Sequence, residues 1–225
     1  MIDLRERATE PELLDTGVDP AEARRSLADL RRVNRWLGGR RGVLRAAAPF
    51  LAQGPVRLLD VGCGSADLPA FLERRAARGR LLAVGLDLKH LHVSEAPSSV
   101  CGVVGDVRRL PFREGSFDVV TASLFLHHFP TSDLPELLRA LYALARRALI
   151  VNDLHRARVP YLFARAAFPW LLRSPVSVND GLISIRSAFT PTDLRDVFAA
   201  AGIVQVDVRR SFPYRLVAVA ERARE

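Results

Sequence analysis

Two glycines and two acidic residues lie at the end of an apolar run in L-L-D-V-G-C-G-S-A-D-L-P, residues 58–69. A glycine-rich turn after a buried strand lets the backbone approach a bound ligand closely. In the dinucleotide fingerprint G-x-G-x-x-G, a pyrophosphate lies at the start of the following helix. Counted from Gly62, the third glycine position is Asp67, whose carboxylate would repel a pyrophosphate. No Gly-Lys-Ser/Thr phosphate loop follows, so the stretch predicts a ligand held without a phosphate contact.

Three acidic residues come at or near the ends of three successive strand-like runs. Asp60 lies in L-L-D-V, Asp87 ends L-L-A-V-G-L-D, and Asp106 follows V-V-G. Because the carboxyl ends of parallel strands meet at one edge of a sheet, we expect the three carboxylates to lie close together. A carboxylate at the end of the second strand can accept hydrogen bonds from both hydroxyls of a ribose. These acids around a bare turn suit a nucleoside with a cationic tail.

The elements that must position these residues alternate between short apolar runs and helical patterns, which predicts a parallel sheet with helices on both faces. The predicted strands of this part are residues 56–61, 81–86, 100–104, 117–122 and 148–151. Two more, 203–208 and 216–220, are joined by a short connection and should pair antiparallel. The expected fold class is α/β, a doubly wound, Rossmann-like, mostly parallel sheet of seven strands with a C-terminal antiparallel pair.

Two helical segments lie outside this alternation. Residues 19–37 predict an amphipathic helix that Asp19 caps and Gly38 ends, followed by a second helical pattern at 43–51. The aromatic and proline-containing segment 155–189 is an insertion after the fifth strand, where open α/β proteins build substrate sites. The predicted organisation is an N-terminal helical cap, residues 1–54, and a main domain, residues 55–225, with 155–189 as a substrate lid.

The bulk composition narrows the class of protein. The net charge of +8 comes almost wholly from arginines scattered along the chain, since Lys89 is the only lysine. A scattered excess of arginine disfavours a nucleic-acid partner. The 2 cysteines do not form a CxxC pair, and the charged N-terminus and the lack of a long apolar stretch disfavour export and membrane insertion. We expect a cytoplasmic protein.

The motifs together resemble a known family. D-V-G-C-G-S-A-D, then G-L-D, then G-D-V-R-R-L-P-F-R-E-G-S-F-D-V-V-T-A-S-L-F-L-H-H-F resemble class I S-adenosylmethionine-dependent methyltransferases, in particular the small-molecule and quinone-type subgroup. The resemblance runs from about residue 58 to 152 and resumes loosely from Thr190. It departs at Ala66, where the family usually has a glycine. More loosely, the chain is similar to methyltransferases of polyketide and phenolic-lipid pathways.

The resemblance implies S-adenosylmethionine as the cofactor and assigns residues to it. Asp60, Gly62 and Gly64 would shape the loop around its methionine part, while Asp87 would hold the ribose and Asp106 would lie by the adenine amino group. The full cofactor-binding set predicted is Asp60, Gly62, Gly64, Asp87, Leu88, Asp106, Val107 and Ser123. No metal is expected.

Methyl transfer to a phenol or enol needs a base that takes the acceptor's proton. The histidines after the fourth and fifth strands are the candidates, with His155 in V-N-D-L-H-R and His128 after S-L-F-L as the predicted catalytic residues. His127 is a weaker candidate than either. Asp153 could orient His155 or bind a substrate hydroxyl. Each histidine could instead cap a helix or pack in the core.

Two features restrict the chemical class of the methyl acceptor: the motifs that are missing and the composition of the insertion. The place of the Asn/Asp-Pro-Pro-aromatic tetrapeptide of base-modifying relatives holds S-L-F-L, and no Pro-Cys nucleophile occurs, which disfavours nucleic-acid acceptors. The insertion offers aromatic walls, with Arg158, Arg165 and Arg173 spaced through it. We expect it to cover a pocket for a hydrophobic small molecule, with peripheral contact to a membrane surface as the alternative.

The predicted function is methyl transfer from S-adenosylmethionine to a small hydrophobic acceptor, in the first place the oxygen of a polyketide-type phenol or quinol. Methylation of a ring carbon is the nearest alternative, because it needs a similar base. Three other classes stay open at this point: a non-catalytic cofactor-binding scaffold, a nucleic-acid enzyme and a nicotinamide-dependent oxidoreductase. Asp67 disfavours the last of these.

Overall fold

A computed structural model describes residues 3–223, so the outermost ends of the two predicted domains, residues 1–2 and 224–225, lie outside the described part. The helices found there are α1 Leu13–Thr16, α2 Pro20–Trp36, α3 Gly39–Leu51, α4 Asp67–Glu73, α5 His90–Ser94, α6 Leu134–Leu144, α7 Arg158–Leu171, α8 Pro175–Ser187 and α9 Pro191–Ala200. The strands are β1 Val56–Val61, β2 Leu81–Asp87, β3 Cys101–Val104, β4 Phe117–Ser123, β5 Ala145–Leu154, β6 Asp207–Ser211 and β7 Arg215–Glu221. Two 3₁₀ turns, Val107–Arg109 and Leu126–His128, follow β3 and β4.

All seven strands form a single sheet in the order β3-β2-β1-β4-β5-β7-β6. β1 to β5 pair parallel with one another, and β7 pairs antiparallel with both β5 and β6. The central strands are covered on both faces, as parallel strands with helical crossovers must be; Leu58 and Leu59, on opposite faces of β1, are both fully buried. The predicted fold class is confirmed.

The sixth strand begins and ends later than predicted. The sequence predicts a strand at 203–208, but β6 begins only at Asp207. The backbone N–H of Ile203 donates to the carbonyl of Phe198, which completes the end of α9 and turns the chain away from the sheet. Ile203 is buried because it packs in the core below that helix end, so its apolar character predicts burial without predicting a strand.

α2 begins and ends where its capping residues indicate. The carboxylate of Asp19 accepts hydrogen bonds from the backbone N–H groups of Ala21 and Glu22 at the start of α2. Gly38 has φ 76° and joins α2 to α3, and a side chain there would overlap the carbonyl oxygen of Phe212. The second helix therefore begins directly after this sharp turn, at Gly39, and not at residue 43 as the pattern predicts.

The N-terminal segment and the insertion are fastened to each other. Asp29 of α2 is fully buried and accepts hydrogen bonds from the backbone N–H groups of Arg173 and Ser174, both at 2.8 Å, between α7 and α8. Asp180 of α8 accepts one from the N–H of Leu14 in α1 at 2.9 Å. The cap and the insertion thus form one cover. Over residues 3–223, none of the helices combines the length and apolar character needed to cross a bilayer.

Candidate active site

The loop after β1 is shaped by residues in the left-handed region. Gly62 has φ 62° and Gly64 has φ 54°, a conformation that only glycine adopts at low cost. A side chain at Gly62 would overlap the ring of Phe125. Ala66, where the sequence departs from the related family, also has φ 53°. The family's glycine at this position thus has a conformational reason, and alanine takes the same backbone form at a cost of about 1 kcal/mol.

The strand-end acid Asp87 fixes this loop. Its Oδ2 accepts a hydrogen bond from the N–H of Gly64 at 2.8 Å. Its Oδ1 accepts another from the N–H of Lys89 at 3.0 Å and lies 3.1 Å from Nδ1 of His92. Asp106 caps the 3₁₀ turn after β3 by accepting from the N–H of Arg108. The predicted convergence of acids at one sheet edge is present, and two of the acids also organise the local backbone.

Of the three predicted acids, Asp60 is the most deeply buried. Its side chain accepts a 2.6 Å hydrogen bond from the hydroxyl of Thr121 on β4. Burial raises the pKa of Asp60 to about 8; the hydrogen bond from Thr121 opposes that rise, whereas the negative charges of Asp67 and Asp87 add to it. The carboxyl is therefore largely neutral at pH 7 until a cation lies nearby. The negative charges of Asp67 and Asp87, which add to the effect of burial, would also favour a bound cation.

A cavity of about 400 Å³ opens at the carboxyl ends of these strands. It is lined by every residue of the predicted cofactor-binding set: Asp60, Gly62, Gly64, Asp87, Leu88, Asp106, Val107 and Ser123. Its volume lies within the range of small-molecule and cofactor sites, about 300–1,000 Å³. The structure thus brings the eight residues together around one space, although their roles there stay predictions.

The opposite wall of the cavity is apolar and comes from the cover. α2 contributes Leu27, Leu30 and Val33, and α7 contributes Phe163 and Phe168. The prediction that the insertion covers a pocket agrees with the positions of these two aromatic rings. Two tryptophans do not share in it. The exposed fractions are 88% for Trp170 of α7 and 73% for Trp36 of α2, so both face solvent.

His128 lines the cavity and is hydrogen-bonded to the N-terminal segment. Its Nδ1 lies 2.8 Å from Oδ2 of Asp15, and its side chain is one-quarter exposed. A carboxylate at Nδ1 holds the proton there and leaves Nε2 as an acceptor when the ring is neutral. His128 is therefore placed and oriented as a base would need to be.

His127 is buried between two carboxylates. Its Nδ1 lies 2.7 Å from Oδ1 of Asp153, and its Nε2 lies 3.4 Å from Oε1 of Glu12. Burial disfavours the charged ring, but the charge and hydrogen bond of Asp153, with those of Glu12, outweigh it and raise the pKa of His127 to about 10. Asp153 thus orients His127, and not His155 as the sequence suggests. A ring that stays protonated at neutral pH neutralises its partners and is poorly suited to be a base.

His155, the other predicted catalytic residue, lies apart from the cavity. It follows β5 and is half-buried, its N–H donates to the carbonyl of Tyr214, and it is not among the residues that line the cavity. Burial lowers its pKa, and the positive charges of Arg210 and Arg156 lower it further. Of the two histidines predicted as bases, only His128 faces the space where a substrate would bind.

Glu12, His127 and His128 are spaced as metal ligands could be, because one ligand atom of each lies within 4.8 Å of the others. The two imidazole rings are stacked, with centroids 4.3 Å apart and an interplanar angle of 28°. A ring nitrogen binds a metal through its in-plane lone pair, and lone pairs of nearly parallel rings do not converge on one point. The cluster is thus better described as two histidine–carboxylate pairs.

Three residues of this region carry no signal in the sequence. Glu12 and Asp15 stand in a short N-terminal segment, more than one hundred residues from the histidines they contact. Arg215 opens β7 and lines the cavity, yet in sequence it is one arginine among many. Only the tertiary structure shows that these residues lie at the site, because it brings segments that are distant in sequence together at the sheet edge.

Comparison with known proteins agrees with this geometry. The family described as a methyltransferase domain matches residues 59–148, which hold the glycine loop and the three acids. A demethylmenaquinone methyltransferase of Deinococcus radiodurans is 34% identical over 122 residues, 51% of this chain and 51% of that protein. A ubiquinone biosynthesis O-methyltransferase of Hahella chejuensis is 33% identical over 132 residues, 52% of this chain and 51% of that protein. The chain thus spans about half the length of these relatives.

The fold is shared with a solved methyltransferase. The plantazolicin methyltransferase BpumL, in complex with a triazolic desmethylPZN analog and SAH, superposes with a TM-score of 0.69 over 92% of this chain and 92% of that chain. The sequences are 14% identical, so the likeness concerns the fold.

Proposed function

We propose that this chain is a class I S-adenosylmethionine-dependent methyltransferase and that it transfers a methyl group to the oxygen of a small hydrophobic phenol or quinol. One observation carries the proposal: the predicted cofactor residues and His128 line the same cavity as the apolar wall of α2 and α7. One cavity therefore combines groups that could bind the cofactor, an oriented imidazole and an apolar space for the acceptor.

The residues present fit S-adenosylmethionine. The turn at Gly62 and Gly64 leaves backbone exposed where side chains would close the space, and Asp87 lies at the end of β2, where a ribose is commonly held. The acids that raise the pKa of Asp60 provide negative potential for a sulfonium and an ammonium group. No Lys or Arg stands at the first turn of α4, where a pyrophosphate would lie; Asp67 does.

When bound, S-adenosylmethionine supplies a methyl group on a positively charged sulfur, which reacts by in-line displacement. The protein's part is to align the acceptor with that methyl group and to exclude water. Leu27 and Leu30 of α2 cover the space from one side, and Phe163 and Phe168 of α7 cover it from another. The apolar cover favours an acceptor with a hydrophobic ring or chain.

The base in this proposal is His128. With its Nδ1 proton directed to Asp15 at 2.8 Å, His128 would accept the proton of a phenolic O–H at Nε2, which makes the acceptor oxygen more nucleophilic. His155 is set aside for this role because it does not line the cavity. His127 is not given a part in the reaction, because its two ring nitrogens face Asp153 and Glu12.

Methyl incorporation tests the proposal. The protein is incubated with methyl-labelled S-adenosylmethionine and a panel of alkylated phenols and quinols, with Asp87→Ala as the matched inactive control. Formation of a methyl ether that depends on Asp87 is the expected result. A product methylated on ring carbon would favour the alternative acceptor atom, and cofactor binding without any transfer across the panel would favour a scaffold.

For the route of the acceptor, we propose that it reaches the cavity from an anionic membrane surface. The outer side of α7 presents Val159, Leu162 and Trp170 to solvent. Arginines surround the exposed Trp36 in a neighbouring groove, lined by Arg25, Arg31, Arg32, Arg35, Arg40 and Arg173. Exposed tryptophans flanked by arginines are typical of helices that lie in the interface of anionic bilayers.

A further inference from the structure

Arg215 is the largest side chain that is fully buried in the described part of the protein. It begins β7, pairs in register with Leu154 of β5, and lines the cavity. The residue exposes 2% of its surface. A guanidinium cannot lose its proton to escape burial, so it must find hydrogen-bond acceptors or strongly destabilise the fold.

Within residues 3–223 this guanidinium has few hydrogen-bond partners. Nη2 lies 3.5 Å from Oδ1 of Asn34, at the limit of a hydrogen bond, and Nη1 is buried without a partner. The backbone at Gly39 packs beside it, where an added side chain would meet Cζ at 3.6 Å. A planar group with paired N–H donors is thus buried at the cavity wall with donors unused.

The nearby carboxylates are already bound to other cations. Asp67 lies 2.8 Å from Nε of Arg40, and Asp153 lies 2.7 Å from Nδ1 of His127. Burial lowers the pKa of Arg215 to about 10, against the opposing charges of Asp153 and Asp67, which leaves the guanidinium protonated at pH 7. Neither acid forms an ion pair with Arg215.

We propose that Arg215 binds a carboxylate inside the cavity, either that of the cofactor's methionine part or that of an acidic acceptor. The first source rests on the proposed function. A guanidinium and a carboxylate form two parallel hydrogen bonds, which would use the donors that the protein leaves free. Asn34 links Arg215 to the glycine loop, because its Oδ1 contacts Arg215 and its Nδ2 lies 3.5 Å from Asp67. This proximity to the loop favours the methionine carboxylate.

Two nucleosides that differ in the amino-acid part test the first source. Arg215→Met keeps an unbranched stem and removes the guanidinium and its charge. We expect calorimetry to show that S-adenosylhomocysteine binds the variant at least about tenfold more weakly than wild type, because a buried charge-assisted pair is lost. Methylthioadenosine, which has no carboxylate, should bind both proteins alike. Arg210→Met, at an exposed arginine of β6, is the matched control and should change neither affinity.

A second pair of probes tests the acceptor as the source. 4-Hydroxybenzoate and phenol are titrated into both proteins, once without nucleoside and once with saturating S-adenosylhomocysteine. If Arg215→Met weakens the binding of 4-hydroxybenzoate but not that of phenol, and still does so with S-adenosylhomocysteine bound, the carboxylate belongs to an acidic acceptor. If wild type fails to bind either nucleoside, the proposed function fails, while the titration without nucleoside still tests the carboxylate site.

The outcomes that would overturn the proposal differ from these. Equal weakening of S-adenosylhomocysteine and methylthioadenosine in Arg215→Met would show that Arg215 only supports the shape of the cavity. Unchanged affinities for all the carboxylate probes would show that it binds no carboxylate. Thermal unfolding of the variant, followed alongside, establishes that the protein compared is folded.

Discussion

Asp60→Asn should make the protein more stable at neutral and alkaline pH. The carboxyl has a pKa of about 8 in the fold against 3.8 as the ordinary value, mainly through burial. A raised carboxyl pKa lowers stability as pH rises from 3.8 to about 8, because only the unfolded chain ionises freely over that range. The shift sets an upper limit of about 6 kcal/mol on this loss. Asparagine keeps the shape and cannot ionise.

Urea unfolding without nucleoside measures this effect. We expect the free energy of unfolding of Asp60→Asn, relative to wild type, to rise by about 3 kcal/mol between pH 5 and pH 8. The hydroxyl of Thr121, which contacts the carboxyl at 2.6 Å, can bond to the asparagine as well. A difference between the two proteins that stays constant over this pH range would refute the reasoning, since the carboxyl would then not be neutral in the fold.

The same carboxyl should couple cofactor binding to pH. Binding of a cation beside Asp60 favours its ionised form, so the affinity for S-adenosylmethionine, relative to the uncharged sulfur of S-adenosylhomocysteine, should rise toward pH 8. One coupled proton allows up to about tenfold per pH unit. Calorimetry at several pH values measures the ratio, and Asp60→Asn should remove its pH dependence. A ratio independent of pH in wild type would place the sulfonium away from Asp60.

Further expectations concern the loop, the base and the outer face of α7. Gly62→Ala should abolish nucleoside binding, because the added side chain would overlap the ring of Phe125. Gly79→Ala is the control: Gly79 also has positive φ but lies in open space, so this variant should bind nucleoside and lose only about 1 kcal/mol of stability. Similar binding by both variants would contradict this expectation. His128→Asn should lower kcat about a hundredfold with S-adenosylhomocysteine affinity unchanged, and His155→Asn should not, as steady-state kinetics would show. Trp170→Ala should weaken sedimentation with phosphatidylglycerol vesicles; equal sedimentation with phosphatidylcholine alone would argue against an anionic surface.

The sheet and the placement of the glycines and acids along the cavity were predictable because their signals are local. Apolar runs mark the strands, and the glycines and acids that follow them are placed at one edge by the parallel topology. Asp60 of β1 and Asp87 of β2 therefore line the same cavity. Capping residues such as Thr190, which forms a capping box with Asp193, mark helix ends equally well.

The acceptor side was predicted less well because it depends on contacts between distant segments. Nothing in the sequence links Asp15 to His128, or shows that Asp153 faces His127 and not His155. The aromatic pattern of α7 predicts an amphipathic helix, but only packing shows that Phe168 turns inward and Trp170 outward. Arginine is so frequent in this chain that composition gave no reason to distinguish Arg215.

The central claim is that the cavity at the carboxyl edge of β1, β2 and β4 binds a sulfur nucleoside without a pyrophosphate. Calorimetric titration of the purified protein with S-adenosylmethionine, S-adenosylhomocysteine and NADH in parallel tests it most directly. Micromolar binding of both sulfur nucleosides, with no binding of NADH, is the predicted result. Binding of NADH, or binding of none of the three by folded protein, would contradict the account.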